Sequence, residues 1–180
     1  MDMGISLQRF VYRFWQARQQ LGFVAPLSDE EHSEVARWLP SSAIPLFETM
    51  SPADQQHALR VCRGLQERGY TEKDLLAAAL LHDVGKADGR VHFWTRPVIV
   101  IGKLCFPRLL ARLAVYPREG LQLPRLQSWR LQLGYAWWHA DIGANLAAAA
   151  GLSERTTLYI RTHHQPDGPA AALHIVDEAS

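Results

Sequence analysis

The chain has 180 residues, 48% of them hydrophobic and 21% charged, with a formal net charge of +1. That length allows one domain, with room for an appended subdomain, and is enough to bury a real core. A balance so close to neutrality excludes recruitment of nucleic acid or a membrane by a global field, so electrostatic recognition must be local. Cys62 and Cys105 form no paired motif and read as small buried hydrophobes rather than as a disulfide framework. Residues 1–10 lack a basic region followed by an apolar run, which points to a cytoplasmic protein without a signal peptide.

Apolar positions recur at helical spacing nearly everywhere, and no alternating strand pattern stands out. A first helix is expected over residues 7–19, with Leu7, Phe10, Val11, Phe14 and Trp15 on one face. After a linker at 21–26, Ser28 and Glu31 form a capping box that opens a helix closed by Pro40. A short helix follows at 44–50. Ser51-Pro52 then supplies a hydroxyl cap and a proline at the first helical position, starting a helix that carries His57 and stops at Gly69.

Thr71 is expected to cap the next helix, whose apolar body is 75–81 and whose end reads His82-Asp83-Val84-Gly85-Lys86. The texture changes over 87–134, where apolar runs alternate with arginine, proline and tryptophan, and an inserted helical pair with loops is expected there. Helical periodicity returns at 137–150, stopped by Gly151. Ser153 caps a helix through His163-His164, and a last helix starts near Pro169. The expectation is an all-α bundle of antiparallel helices with short connections. Residues 1–50 form an N-terminal helical extension, and 51–180 form the principal domain.

His82 and Asp83 sit where a strongly apolar helix meets Gly85, so a rigid buried element delivers an imidazole and a carboxylate together. Such mixed nitrogen and oxygen sites suit borderline divalent metals. His57 lies 12 residues before Gly69 and His82 lies 13 after it, which brings the two to similar heights on neighbouring helices. His139, His163-His164 and Asp177 are further candidates. Asp177 stands in the apolar context Ile175-Val176, where a buried carboxylate needs a partner. Asp141 suits the start of a helix. His32, His92 and His174 have no comparable context and read as surface or packing residues.

The ordered set His57, His82-Asp83 and Asp177 resembles the signature of the HD superfamily of metal-dependent phosphohydrolases. Residues 56–61, the run 80–86, His139 with Ile142-Gly143, and Ile160 with His163-His164 are similar to the branch holding HD-GYP phosphodiesterases and bacterial diadenosine tetraphosphatases. The resemblance covers roughly 51–179, with the insertion as a gap. The arginine-rich insertion and Pro45-Leu46-Phe47 resemble small bacterial HD proteins. The resemblance implies one or two divalent ions, drawn from Mn, Fe, Co, Ni, Zn or Mg. His57, His82, Asp83 and Asp177 would form a first site. His139 and His163, with His164 as a further contributor and Asp83 bridging, would form a second.

It further implies hydrolysis of a phosphoester or phosphoanhydride, in a nucleotide or dinucleotide, by metal-activated water. Asp83 and Lys86 would be the catalytic pair, Lys86 supplying positive charge to a phosphate oxygen. Residues 165–169 read Gln-Pro-Asp-Gly-Pro and lack the Gly-Tyr-Pro element of cyclic dinucleotide phosphodiesterases, which argues against that substrate.

The alternative is a non-catalytic, metal-stabilised signalling or scaffold domain. The insertion offers a further route, because Arg96, Lys103, Arg108 and Arg112 interleave with Trp94, Val98, Ile99, Leu104 and Phe106. That pattern suits a lid over the bundle, or else contact with a membrane surface. Its apolar runs are too short and too often interrupted by charge to span a bilayer.

Overall fold

The computed structural model describes residues 24–87, 107–117, 124 and 128–180. The expected helix at 7–19, His92, Cys105 and most of the interleaved residues of the insertion lie outside these. Among the described residues the fold is all-α, with no strand. In chain order the helices are α1 Asp29–Trp38, α2 Ile44–Glu48, α3 Pro52–Glu67 and α4 Lys73–Leu81, then α5 Pro107–Leu113 and α6 Ser128–Trp137. They are followed by α7 His139–Ala149, α8 Glu154–Thr162 and α9 Ala171–Ala179. Two single turns of 3-10 helix stand at Ser41–Ala43 and Val84–Lys86. No described helix is long and apolar enough to cross a membrane.

Local chemistry explains most boundaries. Ser28 accepts from the Glu31 backbone N–H while the Glu31 carboxylate accepts from the Ser28 N–H at 3.0 Å, the reciprocal capping box expected at the start of α1. Ser51 and Ser153 cap α3 and α8 with their hydroxyls, which accept from Asp54 N–H and Thr156 N–H. Gly69 and Gly151 adopt φ of 84°, the left-handed conformation that ends a helix with little steric cost in glycine.

Two expectations shift. The cap of α4 falls on Glu72 rather than Thr71, and no side chain bonds there. The Glu72 carboxylate turns instead to the Tyr159 hydroxyl at 3.2 Å and the Arg155 guanidinium at 2.9 Å. The helix expected at 137–150 is α7, which starts two residues later at His139, and α6 before it begins within the expected insertion.

α4 is the hub. Residues Leu75 to Leu81 are all buried, as a helix that is apolar on every face must be. It packs against α1, α3 and α8, and α8 packs in turn on α7. Leu59, Leu65, Leu76, Leu80, Leu81, Ile160 and Leu173 are fully buried in the core so formed. Each contributes about 1.5–3 kcal/mol of transfer free energy, which outweighs the weak intrinsic preference of so short a helix. α9 lies against α3, and α6 and α7 both meet the turn Val84–Lys86. Gly85 permits that approach, since a Cβ there would overlap the His139 carbonyl oxygen. The packing thus brings the ends of α4, α6 and α8, the middle of α3, and the last turns of α9 to one place.

Candidate metal centre

Three histidines in this region share one construction. His82 follows the end of α4, His139 follows the end of α6, and His163 follows the end of α8. The last carbonyls of a helix have no intrahelical partner. In each case the imidazole Nδ1 takes one of them, three residues back. His82 bonds the Ala79 carbonyl at 2.8 Å, His139 the Ala136 carbonyl at 3.0 Å, and His163 the Ile160 carbonyl at 2.6 Å. A carbonyl only accepts, so Nδ1 must carry the hydrogen. The neutral ring then presents its lone pair at Nε2, and the three rings are held with Nε2 turned inward.

The centre those nitrogens face is buried. His82 and His163 are fully buried, and His139 and Asp83 nearly so. Ring centroids lie 5.2 Å apart for His82 and His163, and 5.4 Å apart for His139 and His163. His57 reaches in from α3, its ring 5.4 Å from that of His82, and its Nε2 lies 2.9 Å from Asp177 Oδ1. The same oxygen of Asp177 is 3.4 Å from His82 Nε2. Asp83 spans the middle, with Oδ2 at 3.7 Å from His82 Nε2 and Oδ1 at 3.6 Å from His139 Nε2. His164 closes the other side, its Nε2 2.8 Å from His139 Nε2.

Every histidine and aspartate expected in the site is therefore brought together. They form two groups, His57 with His82 and Asp177, and His139 with His163 and His164. Within each group the ligand atoms lie within 4.8 Å of one another, close enough to hold a metal ion. Asp83 stands between the groups, as its expected bridging position requires. Lys86 also reaches the site, but its Nζ sits 2.6 Å from Asp83 Oδ1, as a partner of that carboxylate.

Electrostatics follow from burial and these neighbours. Burial opposes charge on His82, yet Asp83 and Asp177 beside it prevail and push its pKa up to about 9. Burial and the Lys86 ammonium hold His139 well below its usual value, and burial with the neighbouring His82 takes His163 down to about 3. Burial also opposes ionisation of the two carboxylates. Lys86 and His82 nevertheless hold Asp83 well below the usual carboxylate range, and the hydrogen bond from His57 together with the neighbouring His82 does the same for Asp177. The centre thus holds anionic carboxylates and at least two neutral imidazoles, the protonation states of metal ligands.

Two atoms test whether the site fits a cation. Nε2 of His82 and Nε2 of His163 are buried and make no hydrogen bond. An unmatched buried polar atom costs about 1–3 kcal/mol, and native interiors rarely tolerate two so close together. A divalent ion accepts both lone pairs, so the donor set fits one.

Asp141 falls in the first turn of α7, as its sequence context suggested, and pairs with Arg161 rather than facing the centre. His32 is exposed. His174, read from the sequence as a surface or packing residue, is half-buried, with Nδ1 3.2 Å from the His163 carbonyl. Sequence pattern holds one faint signal of this, since His174 lies three residues before Asp177 and so on the same face of α9. Neither a scan against protein-family models nor searches of curated proteins and of solved structures find a match to this chain.

Proposed function

We propose that this chain is a divalent-metal-dependent phosphohydrolase of the HD type, acting on a phosphoester or phosphoanhydride, with a nucleotide or dinucleotide as the substrate class. The observation that carries the reading is the inward convergence of tautomer-fixed histidines on Asp83, with two buried Nε2 atoms that make no hydrogen bond. His57, His82, Asp83 and Asp177 would hold one ion, and Asp83, His139, His163 and His164 a second. When bound, such ions supply Lewis acidity toward a phosphoryl group and a nucleophile at neutral pH.

The chain's own residues have distinct parts in this reading. The helix-end carbonyls orient His82, His139 and His163. Asp83 sets the spacing between the two groups. Lys86 balances its charge and stands, partly exposed, where an incoming phosphate oxygen would meet it. His57, Asp177, Lys86 and His164 form the accessible side of the centre, through which substrate would enter.

The pairing of Lys86 with Asp83 favours one other reading, a metal-stabilised domain without turnover, because it leaves the ammonium occupied. Hydrolysis of bis-p-nitrophenyl phosphate across a series of divalent ions decides between them. The phosphohydrolase reading expects turnover that depends on the metal and is lost in His82→Ala and Asp83→Ala. Metal-loaded protein with no turnover on that ester, nor on a panel of dinucleoside polyphosphates and deoxynucleotides, supports the structural domain instead.

A further inference from the structure

The two ligand groups stand on different elements. His163 and His164 follow the C-terminal end of α8, whereas Asp177 stands near the C-terminal end of α9. Residues 164–170, a chain of turns, join the two helices, and Gln165 N–H holds the start of that connection to the Thr162 carbonyl at 2.8 Å. One contact does tie the helices together beside the site. The half-buried His174 of α9 donates from Nδ1 to the His163 carbonyl at 3.2 Å. That carbonyl lies at the C-terminal end of a helix, where main-chain acceptors lack an intrahelical partner. His174 also precedes Asp177 by three residues, so the two share one face of α9.

We propose that His174 is a positioning residue of the metal centre: by holding the His163 peptide it orients His163 and His164 toward the same centre as Asp177. This inference rests on the metal reading above and adds a residue to it. The geometry repeats, one shell further out, what Nδ1 of His163 does with the Ile160 carbonyl. The inner bond sets the rotation of the ring about its own side chain. The outer one sets the plane of the peptide from which two ligands project. Replacing such outer partners typically weakens metal binding by roughly 10–100-fold.

Two variants separate positioning from packing. His174→Leu keeps bulk and removes the donor, and His174→Asn keeps an N–H near the position of Nδ1. Zn²⁺ titration against a competing chelator reads the affinity, and long-range proton–nitrogen spectra of the metal-free protein read the histidine rings. In His174→Leu the group holding His139, His163 and His164 is expected to lose roughly 10–100-fold in Zn²⁺ affinity. The group holding His57, His82 and Asp177 keeps its affinity. The ring resonances of His163 and His164 move while those of His57 stay, and His174→Asn restores both readouts. Unchanged rings and affinity in His174→Leu, or equal loss in both variants, would overturn the proposal. Wild-type protein that takes up no Zn²⁺ would reject the metal reading, and the metal-free spectra would still decide whether His174 sets the two rings.

Discussion

His82 concentrates the chemistry of the site in one side chain. In the metal-free protein Asp83 and Asp177 raise its pKa to about 9, so it carries a proton at neutral pH. A metal needs the neutral ring and must displace that proton. Between about pH 7 and pH 9 the apparent affinity should therefore rise roughly tenfold per unit, reflecting one proton released. Calorimetric titration in buffers of different ionisation enthalpy measures that proton directly.

Stability of the metal-free protein follows the same shifts with opposite signs. The raised pKa of His82 contributes stability that is fully present below its ordinary value of 6.5 and is lost as pH rises through about 9. The depressed pKa of His163 contributes stability present above 6.5 and lost as pH falls toward 3. The depressed carboxylates Asp83 and Asp177 add a further loss below their ordinary value of 3.8. Denaturant midpoints of metal-free protein should peak between these limits and fall on both sides. At Cys62, burial pushes the thiol up to about 12, so in a Cys105→Ser background it should react with a disulfide reagent only as the protein unfolds.

At the scale of elements, the close approach of α7 to the turn after α4 is the joint on which the centre depends. Gly85→Ala would drive a methyl group into the His139 carbonyl oxygen and separate Asp83 from His139. The expected cost is about 1–3 kcal/mol of stability together with loss of metal. Gly69→Ala is the control. It also strains the backbone, at φ of 84°, but nothing lies within 4 Å of its new methyl. That variant should lose about 1–2 kcal/mol and keep its metal. Thermal melts and metal content of the two proteins, side by side, check the contrast.

Elements were also where the sequence was most and least readable. The Ser28–Glu31 box and Ser51-Pro52 mark helix starts correctly because a cap is a local bond, made within four residues. Glu72 displaces Thr71 as a cap because its side chain answers to Tyr159 and Arg155, which only the folded chain brings near. The start of α7 falls at His139, two residues after the expected start, where the imidazole bonds back to the Ala136 carbonyl. The site residues were legible because their order and spacing carry a family resemblance. His174 carries no such mark, and its role depends on a contact between two helices.

At the scale of the whole molecule, the candidate metal centre lies at the meeting point of α3, α4, α7, α8 and α9, so an ion there would cross-link most of the described fold. Binding to the folded state alone stabilises it by about 2.7 kcal/mol at a free concentration 100 times Kd. For a chain of this size that is roughly 5–10 °C in Tm. Chelator should lower the melting temperature of loaded protein by that amount and lower that of His82→Ala by less.

The most direct test of the account is metal content after equilibrium dialysis against Mn²⁺ or Zn²⁺, measured by mass spectrometry on full-length protein and on His82→Ala and Asp83→Ala. Each variant is first shown by circular dichroism to retain its helices. The account predicts one or two ions per chain in the wild type and loss of at least one in each variant. A wild type that emerges without metal, or variants that hold as much as it does, would contradict it.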